Sequence, residues 1–352
     1  MPHQTLRIID ANCNRIGEGL RFLEDIARFM LDDATLSQQL KAMRHSLVKS
    51  LNKFGAALLS ERDSEADVGV GTQISQQPDL PSLVTANAKR VEEALRVIEE
   101  LAKLPDLSTA LRFKDFEQAR FNLYTLEREL SSKILRRQKI ARLTGLYVII
   151  DAQSLGMKDE VHAANKAIRG GASVIQLRDK YHNKGELLTI AEKLKDLCVK
   201  SNTLFIVNDH LDIAITSDAD GLHIGQDDLP LSVARKELPI DKIVGLSTST
   251  LAQALKAEAE GADYIAVGSV FPSPTKASAT IIGLEQLRQI KQTVSIPVVA
   301  IGGINKENIS QVMAAGATSA AVISAVLTHK DIEAATRQLV REIEKETKRH
   351  KE

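Results

Sequence analysis

Residues 172–178 read ASVIQLR, residues 203–209 read TLFIVND and residues 221–225 read GLHIG. Each is a short β-branched, apolar run that closes on polar residues or on a turn glycine. Five more runs of this kind lie in the same half of the chain: GLYVIID at 145–151, KIVGLS at 242–247, ADYIAVG at 262–268, PVVAIGG at 297–303 and ATSAAVIS at 317–324. Helical periodicity fills most of the gaps, at 186–200, 250–260, 284–293 and 306–315. The gap between 209 and 221 is short and predicts a helix of about two turns. Strands alternating with helices imply a parallel sheet. Eight such units in about 205 residues predict a (β/α)8 TIM barrel near the small end of its size range. A doubly wound open sheet is the competing architecture, but no Gly-rich dinucleotide fingerprint follows the first strand.

Outward from this block, the chain divides near residue 140. Of its 19 glycines only five precede residue 141, and that first part reads as long helices. We therefore expect two domains, an all-α domain at 1–140 and an α/β barrel at 141–352. The length of 352 residues agrees with two domains. The helical part repeats itself. NCNRIGEGLRFLEDIAR at 12–28 matches NAKRVEEALRVIEELAK at 87–103, with Asn12, Arg15, Glu18, Leu20, Arg21 and Glu24 recurring 75 residues later. MRHSL at 43–47 matches ARFNL at 119–123, now offset by 76. Two copies of a helix pair about a pseudo-twofold axis explain this. The charged positions alternate in sign at three-residue spacing, which predicts an ion-pair ladder at the seam between copies. A paired-arginine phosphate site is the functional alternative. The acidic, Gly-punctuated segment 62–71 is a loop with the composition to hold a metal or phosphate. The basic stretch KILRRQKIAR at 133–142 reads as the last turn of a helix running into a linker.

Composition narrows the function. Lys+Arg and Asp+Glu both number 46, so a generally basic nucleic-acid protein is not expected. Cys13 and Cys198 are far apart, without a Cys/His cluster, which excludes a disulfide framework and most structural zinc sites. No apolar run is long enough to span a membrane, and the first residues are too polar for a secretory signal, so the expected location is the cytoplasm.

In a barrel, polar residues at strand C-termini face one mouth, where the chemistry is done. Alternation turns Gln176, Arg178 and Lys180 the same way. Arg178, Lys180 and Lys276 are cations suited to a highly anionic substrate. Asp209 and Asp228 are carboxylates suited to Mg²⁺, a hard ion commonly shared with substrate phosphates. Gly302-Gly303 and Ile323-Ser324 follow strands seven and eight, where barrels commonly cradle a phosphate. Asp209 as a helix cap, Asp228 as a turn residue before Pro230 and the glycines as a tight turn are the plainer readings. His223, in mid-strand, reads as a packed or hydrogen-bonded core residue. Cys198 and Met313 read as structural.

At these residues the chain resembles thiamine-phosphate synthases. The resemblance covers about residues 143–345. It rests on QLRDK at 176–180, VND at 207–209, DGLHIGQDD at 220–228, GLS at 245–247, SVFPSPTK at 269–276, AIGGI at 300–304 and VIS at 322–324. It implies a transferase that joins a pyrimidine diphosphate to a thiazole phosphate, plain or carboxylated, and releases diphosphate. It would place Gln176, Leu177, Arg178, Asp179, Lys180, Asn208, Ser247 and Lys276 on the pyrimidine diphosphate, with Arg178, Ser247 and Lys276 catalytic. Ser273, Pro274, Thr275, Gly303, Ile323 and Ser324 would hold the thiazole phosphate, and Asp209 and Asp228 the Mg²⁺. The family usually has Thr at the position of Ser273, and often His where this chain has Ser249. The helical part resembles a domain fused to some of these synthases, for which a pyrimidine-phosphate kinase role is implied, although no Walker A sequence is present. A homo-oligomer is compatible with this reading. The rival readings are a thiazole tautomerase on the same barrel, which would need neither the carboxylates nor Lys276, and a non-catalytic sensor of phosphorylated heterocycles.

Overall fold

The structure is a computed structural model that describes residues 3–60, 78–156, 158–273 and 280–349. Segment 62–71, Pro274, Thr275 and Lys276 lie outside the described residues. The chain separates into two units, Met1–Leu135 and Arg136–Glu352. The boundary falls inside the helix Phe113–Ala141, so the basic stretch at 133–142 is helical almost throughout. Three of its cations are taken by carboxylates within their own units. Lys133 pairs with Asp33, Arg136 with Asp263 (2.8 Å) and Lys139 with Asp241 (2.8 Å).

In the first unit, the repeat is visible as two helix pairs. His3–Asp25 and Ala34–Leu51 form one copy; Leu80–Leu101 and the start of Phe113–Ala141 form the other. The Leu80–Leu101 helix begins at an Asp79 cap whose carboxylate accepts from the Ser82 N–H, with Pro81 in the first turn. Ile16, Leu20 and Leu23 on one first helix and Val91, Leu95 and Ile98 on the other are fully buried in one core. The two first helices meet so closely at Gly19 that a Cβ there would fall 2.4 Å from Val91 Cγ2.

The ion pairs of Glu24 and Glu99 do not lie across that seam, where the spacing predicts a ladder. Two of them, Glu24–Arg44 and Glu99–Arg120, bind first helix to second within one copy. Buried Glu24 takes Arg44 at 2.8 Å, and its counterpart Glu99 takes Arg120 at 3.2 Å. Arg21 and Arg96, three residues before each glutamate, add a second cation. The reason is packing. The seam is closed by apolar side chains and Gly19, while the second helix of each copy brings an arginine onto the glutamate.

In the second unit, eight parallel strands close in sequence order into a barrel: β1 Gly145–Asp151, β2 Val174–Arg178, β3 Leu204–Asn208, β4 Gly221–Ile224, β5 Ile243–Thr248, β6 Tyr264–Val267, β7 Val298–Ile301 and β8 Ser319–Val322. The helix after β3 is short, Leu211–Thr216. Alternation sorts the strand residues into two layers. Tyr147, Ile149, Val174, Leu204, Ile206, Ile243, Tyr264 and Val299 fill the barrel interior. Val148, Ile175, Leu177, Phe205, Val207, Leu222, Ile265 and Val298 face the surrounding helices. Gly245 pairs with Tyr264 across β5 and β6. A Cβ at 245 would lie 2.0 Å from the Tyr264 ring, so this glycine makes room for the aromatic inside the barrel. Cys198 is fully buried and its thiol is pushed up to about 12, which makes it inert.

Candidate active site

A cavity of about 530 Å³ opens at the C-terminal ends of the strands. Gln176, Arg178 and Lys180 line it, as the period of two dictates. So do Asn208, Asp209, Asp228, Ser247, Ser273, Gly302 and Ile323.

The same period turns two side chains away from the cavity. Leu177 points outward into the apolar layer beneath the helices. Asp179 is buried, and its carboxylate accepts from the Tyr181 and His182 backbone N–H groups and meets the His182 ring. Neither lines the cavity. The resemblance assigns the whole stretch 176–180 to substrate; only alternate side chains of an extended strand reach one face, so Leu177 and Asp179 do not offer theirs. Gly303 and Ser324 also stand outside the cavity wall, although their neighbours Gly302 and Ile323 belong to it.

Arg178 is held by Asp151 at the end of β1. Asp151 is 2 % exposed and also accepts from the Ser154 N–H (2.8 Å) and hydroxyl (2.7 Å), so its buried charge is fully satisfied. The guanidinium is thereby fixed at the rim with part of its surface open. Asp209 sits in the left-handed region, φ +61°. The following helix has His210, not Asp209, at its cap position, and the side chain of Asp209 is among those facing the cavity. Asp228 does serve a turn, accepting from the Gly225 N–H at 2.7 Å. It is also a close enough neighbour of Asp209 to perturb its charge. Burial, and then the neighbouring Asp228 carboxyl, push Asp209 up to about 6, against the opposing pull of Lys180 and Arg178. Two carboxylates held this close repel unless a cation or proton is shared between them, and hard oxygen donors of this kind suit Mg²⁺.

The rim beside β7 is built from backbone. Gly302 and Gly303 take φ +102° and +64°. A Cβ on Gly302 would lie 2.0 Å from Ser269 Oγ, and one on Gly303 would lie 2.3 Å from the Pro272 carbonyl. Val270 N–H and Phe271 N–H donate to the Ile301 and Gly302 carbonyls at 2.9 and 3.0 Å. The loop after β6 is thus tied to the turn after β7, which leaves no space for side chains there.

The cavity floor holds groups that read in sequence as core or carry no motif. His223 is buried and hydrogen-bonded, as expected, yet it also lines the cavity with Tyr147 and Tyr264. Burial drives its imidazole down to about 4, so the ring is neutral. A tyrosine at an inward strand position facing a glycine on the preceding strand is the available signal for Tyr264. Thr248 and Gln226 also border the cavity; the Gln226 amide donates to the Ser247 carbonyl at 2.6 Å. Ser249, where the family often has His, is tied to Gln253.

Rim cations, a neighbouring carboxylate pair and a glycine turn at one mouth define a class: (β/α)8-barrel enzymes that handle phosphorylated substrates. Sequence comparison narrows the class. Residues 146–326 match the Thiamine monophosphate synthase family, and residues 7–129 match the ThiD2 family. A thiamine-phosphate synthase of Thermosynechococcus vestitus is 39 % identical over 342 residues, 96 % of this chain and 94 % of that one. One from Synechocystis is 39 % identical over 346 residues, 97 % of each chain. Among solved structures, a thiamine phosphate pyrophosphorylase from Pyrococcus furiosus is 41 % identical with a TM-score of 0.55, covering 59 % of this chain and 98 % of its own. The chain belongs to the thiamine-phosphate synthase family, and it is an enzyme of the transferase class. No helix among the described residues is long and apolar enough to cross a membrane.

Proposed function

We propose that the barrel joins the methylene carbon of a pyrimidine diphosphate to the ring nitrogen of a thiazole phosphate, giving thiamine phosphate and diphosphate. The carrying observation is the Asp209–Asp228 pair in the same cavity as Arg178 and Lys180. A tautomerase has no leaving diphosphate and no use for this set.

In this reading the methylene C–O bond breaks with its electron pair leaving on the diphosphate. The pyrimidine ring stabilises the cation so formed. The thiazole nitrogen then supplies the pair for the new C–N bond, so no protein nucleophile is required. Arg178, preset by Asp151, and Lys180 meet the charge that accumulates on the departing oxygens. Asp209 and Asp228 would hold Mg²⁺, which when bound supplies further neutralisation of that charge. Gln176, Asn208 and Ser247 position the pyrimidine side, and Lys276 joins them by resemblance. Ser273, Pro274, Thr275, Gly303, Ile323 and Ser324 take the thiazole phosphate by resemblance, supported by the side-chain-free turn at Gly302-Gly303. Holding nitrogen and carbon in line is the remaining contribution.

Incubating the full chain with both phosphorylated substrates and Mg²⁺ tests this by mass spectrometry. Thiamine phosphate and diphosphate should appear together and vanish with EDTA. No product from a folded protein overturns the proposal.

For the first unit, the match to the ThiD2 family together with the resemblance supports a pyrimidine-phosphate kinase that makes the diphosphate the barrel consumes. The full chain supplied with pyrimidine monophosphate, ATP and thiazole phosphate should then yield thiamine phosphate. Product from the diphosphate but none from the monophosphate would defeat it.

A further inference from the structure

Five polar side chains, one from each of five strands, form an unbroken line across the cavity floor. Gln176 Nε2 donates to Tyr147 Oη at 2.8 Å. Tyr147 Oη lies 3.2 Å from Tyr264 Oη, which lies 3.1 Å from His223 Nδ1. His223 Nε2 lies 2.9 Å from Ser247 Oγ. Each tyrosine hydroxyl has one proton to give, and a neutral imidazole has one N–H. A line of this kind therefore has a single polarity, and either end sets the donor roles of all its members.

We propose that the line is polarised from Gln176 towards Ser247, making Tyr147 and Tyr264 positioning residues that hold the His223 ring as its Nε2–H tautomer. Tyr147 then donates to Tyr264, Tyr264 to His223 Nδ1, and His223 Nε2–H to Ser247 Oγ. Two groups are left for the cavity: the Gln176 carbonyl, as an acceptor, and the Ser247 hydroxyl hydrogen, as a donor. This rests on the reading that a pyrimidine occupies the floor, and it deepens that reading. An aminopyrimidine offers amine hydrogens and ring-nitrogen lone pairs, so it needs one acceptor and one donor. The opposite polarity spends the Ser247 hydrogen on His223 and the Gln176 carbonyl on Tyr147. The Gln176 amide would then offer only N–H groups to a cavity in which Arg178 and Lys180 are already donors alone.

The line also keeps the floor uncharged. His223 is buried against the Tyr264 ring, with centroids 5.6 Å apart. A neutral floor adds no positive charge beneath the carbon that becomes cationic, while the cations stay at the rim beside the leaving group.

The test uses the full chain with ¹⁵N-labelled histidine. The ring nitrogens of His223, one of eight histidines, are assigned by their loss in His223→Asn. At pH 7 the wild type should show a bare Nδ1 and a protonated Nε2. Tyr264→Phe cuts the line at its centre. It should populate the Nδ1–H tautomer and raise KM for the pyrimidine diphosphate about tenfold, the scale of one lost hydrogen bond, with a smaller change in kcat. Tyr147→Phe cuts it one link earlier and gives the same readout should the first variant fail to fold. An Nδ1–H or doubly protonated His223 in the wild type overturns the proposal, and so does an unchanged KM in both variants. The tautomer readout needs no turnover, so an inactive protein with an Nε2–H His223 would refute the reaction and leave the polarity standing.

Discussion

Replacing Glu92 with Gln should stabilise the first unit at pH 8 and do little at pH 5. Burial, and then the neighbouring Glu127 carboxyl, raise Glu92 from its ordinary value near 4.5 to about 7, and one of its oxygens is buried without a partner. The folded chain therefore holds this proton more tightly than the unfolded chain does. Stability is greatest below pH 4.5, falls as pH rises from there to about 7, and stays reduced above it. The displacement corresponds to a ceiling of ~3 kcal/mol at ~1.4 kcal/mol per pH unit. Glu92 is only half-buried, so solvent screening brings the expected effect to ~1 kcal/mol. By linkage about a quarter of it is felt at pH 5. The repeat supplies an internal comparison. At the same offsets the first copy has Gly17 and Leu51, with no charge to hold apart. Hydrogen exchange read by mass spectrometry reports on the right segment, using peptides from Leu80–Leu101 and Phe113–Ala141 of the full chain. After correction for intrinsic rates, Glu92→Gln should slow exchange there about fivefold at pH 8, the equivalent of ~1 kcal/mol. Exchange that is unchanged at pH 8, or slowed equally at both pH values, would refute the reasoning.

Three further outcomes follow from the structure. Asp228→Asn keeps a carbonyl for the Gly225 N–H but removes the charge facing Asp209; turnover with saturating substrates and Mg²⁺ should fall on the order of 10²–10³-fold while thermal stability holds, because several kcal/mol of charge stabilisation is lost. Gly303→Ala forces a Cβ against the Pro272 carbonyl at φ +64°; denaturant unfolding should show a loss of about 2 kcal/mol or more, and KM for thiazole phosphate should rise. Glu24→Ala and Glu99→Ala each leave a half-buried arginine without its carboxylate, and each should cost the first unit ~2 kcal/mol in urea titrations; markedly unequal losses would argue against equivalence of the two copies.

Much of the barrel was readable in one dimension. Eight apolar runs at near-regular spacing can bury their faces in few ways, and the closed sheet follows their order. Period-two alternation likewise places Gln176, Arg178 and Lys180 on one face. The repeat in the first unit was equally plain, because duplicated helices keep duplicated contacts. Glu24 with Arg44 and Glu99 with Arg120 are the same contact made twice.

What sequence could not supply was the partner of each polar group. The charge pattern at 12–28 fitted a ladder across the seam as well as ion pairs within a copy, since helical spacing fixes which face a residue occupies but not what that face meets. Asp151 looked like the end of a strand; only closure of β1 against β2 sets it beneath Arg178. Tyr147, Tyr264 and His223 are far apart in the chain, and each alone reads as barrel filling. Their hydroxyls and ring nitrogens become one line because a parallel barrel brings inward residues of separate strands to the same depth. Local patterning is written by neighbours along the chain, whereas hydrogen-bond identity depends on groups a hundred residues away, and that is decided only when the sheet closes.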